Sequence, residues 1–174
     1  MSRRLRPPGV SARLLSRLAA LLLLPAFLVG LFGWVAPASA AMDYAKQVLI
    51  GADFHGADLR GVTFNLTNLR DADFSAADLR LASLFGAKLQ DADLSDADLR
   101  EATLDSAVLN GTRLDRAVLE DAFAFNTRFE NVSIEGADFT NVPLRGDALN
   151  RLCAVASGTN PTTHRLTRAT LNCP

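Results

Sequence analysis

The chain has 174 residues, 49% of them hydrophobic, and its 18 basic and 19 acidic residues give a net charge of −1. Five of the basic residues and none of the acidic ones lie in the first 40 positions, so the remainder carries thirteen basic residues against nineteen acids, a net charge of −6. A surface with this balance is not expected to bind nucleic acid or anionic lipid through bulk electrostatics.

The N-terminus has the composition of an export signal. The five basic residues are arginines (Arg3, Arg4, Arg6, Arg13 and Arg17), and an apolar run from Leu18 to Val35 follows them. Ala38-Ser39-Ala40 then supplies small residues where a signal peptidase reads the chain, which predicts cleavage after Ala40 and no stable membrane insertion of the product. The general secretory route is favoured over the twin-arginine route, and an uncleaved membrane anchor is the weaker alternative.

Residues 41–46 form a short lead-in. The next hundred residues, 47–146, divide without an insertion into 20 units of five residues each. The third residue of each unit is Leu thirteen times, Phe five times, Ile once and Ala once, and the first is Ala, Val or Thr in every unit but that of Gln47. A period of five suits neither a helix nor a flat strand. Repeated short extended segments with bends satisfy it, and four such sides close a coil in which residues twenty apart stack. The pattern predicts an all-β solenoid of about five coils over residues 41–146.

Units such as Ala92-Asp93-Leu94 and Ala97-Asp98-Leu99 match the motif A(D/N)LXX, and in this the chain resembles the pentapeptide-repeat family. The resemblance covers the hundred residues 47–146. It implies a right-handed quadrilateral β-helix, and it implies little about function, because most members of that family have no known activity.

Stacking every twentieth residue defines four walls, which we number from the units 47–51, 52–56, 57–61 and 62–66. The second wall is acidic, with a column of Asp53, Asp73, Asp93 and then Arg113, and with His55, Asp96, Asp115 and Glu135 nearby. Cation binding or mimicry of nucleic-acid phosphates is one interpretation. The favoured one is that these aspartates cap the turns. The third wall carries two charge ladders of opposite sign, Asp58, Asp78, Asp98 and Arg60, Arg80, Arg100.

The fourth wall is the least charged, with only Asp105 and Arg145, and it is the candidate docking face. Its predicted outward residues are Leu66, Phe85, Phe123 and Phe125. Clustered exposed aromatics often mark contact surfaces. The favoured alternative is a local bulge that turns Phe123 or Phe125 inward, because the central residue of that unit is only Ala124.

The repeat stops at Gly146, and residues 147–174 are predicted to form a helical cap over the open end of the solenoid. Asp147 is the expected N-cap of a helix through Ala156, with Leu149, Leu152, Cys153 and Ala156 on one face and Gly158 ending it. A second helix is expected from about Thr163 to Leu171. Cys153 and Cys173 are the only cysteines, and in an exported chain they predict a disulfide, structural or, alternatively, regulatory.

The tail segments 152–161 and 167–173 resemble the C-terminal motif of lumenal pentapeptide-repeat proteins of cyanobacteria and chloroplasts. That resemblance implies the thylakoid lumen or the periplasm. Thr163-His164 stands where such relatives often carry a glycine.

No residue pattern of an enzyme is present. The two histidines, His55 and His164, are far apart, and no phosphate-binding loop or nucleophile elbow occurs. A straight prism also lacks a concave pocket, so an unexpected cleft is sought first at the cap junction. We expect a non-catalytic scaffold or binding module with no cofactor, an unknown protein partner and no nucleic acid. A redox-switched regulator and, less favoured, a nucleic-acid-mimicking topoisomerase inhibitor are the alternatives, and an oligomer is left open.

Overall fold

The structure is a computed structural model that describes residues 42–174. The expected signal peptide and its cleavage after Ala40 lie outside these residues. Within 42–174, none of the helices combines the length and the hydrophobicity that crossing a membrane requires.

The backbone returns to the same side of the molecule every twenty residues. Parallel pairings join residues twenty apart on four sides, from Asp43 with Thr63 to Val118 with Asp138. Two of the paired segments are long enough to be strands, β1 (Val108–Asn110) and β2 (Arg128–Glu130), which run parallel with Leu109 opposite Phe129. The other pairings are single bridges between turns, because each side has only five residues in which to extend and bend.

The centre of the coil is apolar and tightly filled. The third residues of the inner units, such as Leu84 and Leu104, and the small first residues, such as Ala82 and Ala102, are fully buried. Three first positions carry threonine instead of alanine. The buried hydroxyls of Thr67, Thr112 and Thr127 each donate a hydrogen bond of 2.7 Å to a backbone carbonyl of the preceding turn, so these polar groups are satisfied inside the core.

The N-terminal end begins earlier than the sequence pattern indicated. The segment taken as a lead-in already pairs with the coil, because Tyr44 N donates to Thr63 O at 2.7 Å. The Tyr44 ring stacks on Phe64 with centroids 5.2 Å apart, and Phe54 stacks on Phe74 at 4.9 Å. Tyr44 therefore takes the central position of a further five-residue side.

The predicted first tail helix is present with shifted ends. Helix α1 spans Gly146–Val155, and its N-cap is Arg145, without a side-chain capping bond. Asp147 lies in the first turn and pairs with Arg151 at 2.6 Å instead of capping the helix. Gly158 does not end α1, since the residue after Val155 is already extended.

The second tail helix is much shorter than predicted. Helix α2 spans Thr167–Thr170, because the preceding residues turn back on themselves. Thr159 and Leu166 form an antiparallel bridge, and Asn160 N donates to Arg165 O at 2.9 Å. His164 adopts a φ of 58° in this turn, the left-handed conformation that glycine takes most readily.

Candidate functional site

The fourth wall exposes its aromatic residues. Phe85, Phe123 and Phe125 have 42%, 59% and 53% of their surface exposed. The bulge favoured by the sequence analysis does not occur. Ala124 stays at the centre, and Phe123 stays in register, with its N donating to Ala102 O at 2.9 Å. The regular hydrogen-bond ladder therefore holds Phe85 and Phe123 outward.

Two leucines flank this wall at strained corners. Leu66 and Leu81 occupy fifth positions, with φ values of 58° and 61°, and are 53% and 62% exposed. Neither feature favours leucine, because a branched side chain resists the left-handed conformation and an exposed apolar one gains nothing from burial. Leu66 also lies across Gly86, where an added Cβ would come within 2.7 Å of its Cδ2. Leu81 was not singled out in the sequence, since it belongs to the unit of the neighbouring wall.

Within three successive segments of the fourth wall the charged residues are all acidic, although Arg80 and Arg100 of the third wall immediately precede the first two of them. The segments 81–86, 101–106 and 121–126 contain no Lys or Arg. They contain Glu101, Asp105 and Asp121, and among residues 42–174 none of the three forms a salt bridge. Asp105 accepts a hydrogen bond from Asn126 N at 2.9 Å, which fixes its position without neutralising its charge.

The third wall, in contrast, neutralises itself. Each arginine of the ladder donates two hydrogen bonds to the aspartate two residues before it, as Arg80 Nε and Nη2 do to Asp78 at 2.8 and 2.6 Å. Arg60 Nε and Arg80 Nε also lie 3.6 Å from the carboxylates of Asp78 and Asp98 on the next turn. The two ladders therefore form one network of alternating positive and negative charges along the third wall.

These hydrogen bonds shift the pKa values of two aspartates and of the three arginines. The hydrogen bond from Arg60 lowers the pKa of Asp58 to about 2, and the bond from Arg80 lowers the pKa of Asp78 despite its partial burial. The same bonds raise the pKa values of the arginines. These side chains remain charged and paired at physiological pH, which leaves few free charges for a ligand.

On the second wall the aspartates bind their own backbone. Asp53, Asp73 and Asp93 each accept the N–H of the residue two positions later, at 3.1, 2.9 and 2.9 Å. This is the turn-capping role that the sequence analysis favoured. Within residues 42–174, no three His, Cys, Asp or Glu side chains are grouped so as to hold a metal ion.

The tail is anchored to the coil by a buried asparagine that the sequence analysis missed. The Asn160 amide nitrogen donates to the carbonyls of Arg116, Ala117 and Gly136 at 2.9–3.3 Å. Its Oδ1 accepts the N–H groups of Thr162 and Thr163, both at 2.9 Å. The amide nitrogen of Asn160 therefore bonds the coil, and its amide oxygen bonds the tail.

An ion pair next to Asn160 joins the same two parts. Arg165 Nη1 lies 2.8 Å from Glu120 and 3.3 Å from the fully buried carboxylate of Asp138. Burial alone would raise the pKa of Asp138, but hydrogen bonds from Thr140 and the charge of Arg165 hold that pKa below its ordinary value. Asp138 is therefore a charged group inside the junction.

The two cysteines form the predicted disulfide. Cys153 in α1 and Cys173 after α2 are bonded, with Cα atoms 5.6 Å apart. Arg168 supports the link, because its guanidinium donates to the carbonyls of Cys153 and Pro174 at 3.0 and 2.9 Å.

A cavity lies at the junction between the coil and the tail, the place where the sequence favoured an unexpected cleft. Its volume is about 230 Å³, and it is lined by Phe139, Asn141, Val142, Leu144, Leu149, Thr170, Leu171 and Asn172. None of these residues is acidic, basic or nucleophilic in the manner of a catalytic group. The cavity is also smaller than the ~300–1,000 Å³ of typical ligand pockets.

Comparisons with known proteins agree on one family. The pentapeptide-repeat family model matches residues 48–84 and 82–121. A pentapeptide-repeat protein from the thylakoid lumen of Arabidopsis thaliana, solved at 1.7 Å, is 47% identical, covers 74% of this chain and 90% of its own, and superposes with a TM-score of 0.73. A pentapeptide-repeat protein from Nostoc is 27% identical over 59% of this chain and 84% of its own, with a TM-score of 0.31.

A curated relative, the thylakoid lumenal 15 kDa protein 1, chloroplastic, of Arabidopsis thaliana, is 56% identical over 48 residues. These residues are 28% of this chain, and the match spans only 21% of the relative's length. Members of the matched family form right-handed quadrilateral β-helices and are generally non-catalytic. The twenty-residue return of the backbone and its four sides of parallel pairing agree with that architecture. The chain belongs to the pentapeptide-repeat family.

Proposed function

We propose that this chain is an exported, non-catalytic binding module that docks a partner protein on its fourth wall. The observation that carries the proposal is the set of three aromatic and two leucine side chains exposed together there. Monomeric proteins rarely leave such residues clustered in water without a binding role. The leucines add to this, because a positive φ recurs at the fifth positions of the coil and most of those positions carry Gly, Asp or Asn rather than a large apolar residue.

The proposal includes the compartment and the architecture. The names of the Arabidopsis matches refer to the thylakoid lumen, and the N-terminal composition is that of an export signal. We therefore assign this chain to the lumen or the periplasm, with about five coils in its solenoid. N-terminal sequencing of the protein from its native compartment checks export, with Ala41 as the expected first residue.

The docking proposal is tested by cross-linking and capture from the native exported fraction. The test variant carries Phe85→Asp and Phe123→Asp. We expect wild type to capture a defined protein and the variant to lose at least about nine-tenths of it, since central aromatic anchors dominate interface energies.

The matched control carries Val48→Asp and Ile50→Asp on the first wall. These residues occupy the same second and fourth positions of their unit and are 71% and 47% exposed. The control should retain capture. Circular dichroism must show that both variants fold. Equal capture by wild type, variant and control would reject the fourth wall as the docking surface.

A further inference from the structure

The fourth wall is organised as two apolar bands separated by an acidic one. The first band is the turn that contains Leu81 and Phe85, with Leu66 lying over Gly86 beside them. The second is the turn that contains Phe123 and Phe125, with Asp121 at its corner. Glu101 and Asp105 lie on the turn between, which pairs with both, through Ser83 with Thr103 and through Thr103 with Phe123.

The spacing of the bands follows from the pairing. Neighbouring turns are about 4.8 Å apart, the distance between hydrogen-bonded strands, so the two apolar bands lie roughly 10 Å apart. The acidic side chains stand midway between them. A partner must therefore offer two apolar groups about 10 Å apart with positive charge between.

From this spacing and charge we propose that the fourth wall binds an amphipathic α-helix of a partner protein, lying along the coil axis, with apolar residues at i and i+7 and a Lys or Arg at i+3 or i+4. Seven helical residues rise about 10.5 Å, which matches two turns of the coil. The basic residue then reaches Glu101 and Asp105 while the apolar residues contact the two bands, a known mode of helix recognition. This inference rests on the proposed function and specifies the partner's chemistry.

Two other occupants fit less well. An extended strand presents side chains on one face about 7 Å apart, out of step with the bands. Between the two bands it also finds no open backbone edge, because Ser83, Thr103 and Phe123 already pair with one another. A second copy of this chain docked by a two-fold axis would bring Glu101 and Asp105 against their own counterparts, with like charges in contact.

The probes are two designed helical peptides that differ only in charge. Both carry Leu at i and i+7 in an Ala- and Gln-rich helix, and positions i+3 and i+4 are Lys in one and Glu in the other. Each is titrated into the 15N-labelled, disulfide-intact protein, and amide shifts are followed by NMR. The Lys peptide is expected to shift amides within 81–86, 101–106 and 121–126, and to bind at least about fivefold more tightly than the Glu peptide, the scale of a few exposed charge pairs.

The variant for this test carries Glu101→Lys and Asp105→Asn, because asparagine keeps an acceptor for Asn126 N. It should lose the preference for the Lys peptide. The matched control is Asp71→Lys on the first wall, which replaces another exposed corner acid with the same φ of 58° as Glu101. The control should keep the preference.

The inference is overturned by shifts elsewhere on the coil, by equal affinity for both peptides, by a variant that keeps the preference for the Lys peptide, or by no shift at about 1 mM Lys peptide, the weakest binding that a two-anchor contact should give. A failure here is distinct from failure of the docking proposal. If capture from the native fraction still depends on Phe85 and Phe123, the wall docks a partner of other chemistry. Dimerisation of the free protein that the Phe85→Asp, Phe123→Asp variant abolishes would make the occupant a second copy and would also overturn it.

Discussion

At the N-terminal end of the coil the interior is closed by stacked aromatic rings, whereas at the C-terminal end the tail is held by a buried amide, an ion pair and a disulfide. Tyr44 and Phe54 are contiguous with the core and need no partner of special geometry. Asn160 and Arg165 depend on directional bonds to the coil. The difference teaches that the same repeat can end in two ways, one by apolar stacking and the other by directional hydrogen bonds, an ion pair and a disulfide, and we expect only the second to depend on redox state and on a buried carboxylate.

The largest effect is expected from removing the disulfide. Changing Cys153→Ala together with Cys173→Ala should lower the free energy of unfolding by roughly 3 kcal/mol, the entropic cost of releasing a loop of this size. Urea unfolding measures the loss, and hydrogen exchange should place the added opening in residues 147–174. Reduction of wild type should reproduce the change. Equal protection of the tail in both proteins would show that the bond does not hold it.

A somewhat smaller loss should follow Asn160→Ala. The substitution leaves the carbonyl of Gly136 and the N–H groups of Thr162 and Thr163 without their partner, which should cost about 2 kcal/mol. Thermal unfolding with the disulfide intact is the measurement. Asn150→Ala, an exposed position in α1, is the control and should change little. If both variants melt alike, Asn160 is not the anchor of the tail.

Acid should open the C-terminal end before the N-terminal end. Because the pKa of Asp138 is lowered in the folded chain, its contribution to stability is present above its unfolded pKa of about 4 and is lost as pH falls through the folded value. Hydrogen exchange between pH 5 and pH 2.5 should therefore show the tail losing protection first. The variant Asp138→Asn should remove this dependence. Simultaneous loss at both ends would contradict the prediction.

The smallest effect is expected at the aromatic end. Tyr44→Leu keeps an apolar group but removes the ring stacked on Phe64, which should cost ~0.5–1 kcal/mol. Urea unfolding at pH 7 and at pH 4, with and without reductant, should give the same difference. If the loss of unfolding free energy in Tyr44→Leu varied with pH or redox state, the N-terminal end would not be independent of them, which would contradict the prediction.

The sequence predicted the coil because its signal is repeated twenty times. Large residues at third positions can be buried together in no other simple way. The outward direction of Phe85, Phe123 and Phe125 followed from their position in the unit, and the bulge was wrong because Ala124 stays buried at the centre while Phe123 keeps its bond to Ala102. The disulfide was predicted because an exported chain with two cysteines has one pairing.

What the sequence did not predict depends on contacts between distant residues. Asn160 reaches carbonyls more than twenty positions away, and the turn around it replaced half of the predicted second helix. Glu101 and Leu81 were missed because a corner residue belongs to two walls, while a division into units assigns it to one. Met42-Asp43-Tyr44 was missed because its residues differ from those of the repeat.

The corners occupied by Leu66 and Leu81 have an evolutionary consequence. Glycine at either residue would relieve the left-handed backbone and remove an exposed apolar side chain, so a laboratory selection for heat resistance alone should replace these leucines early. The same replacements would erase part of the surface to which we assign binding. Selection for thermostability would then favour glycine at these two positions, while selection for partner binding would favour leucine. In a lineage that had lost the partner, we expect the leucines to be replaced and the protein to become more thermostable.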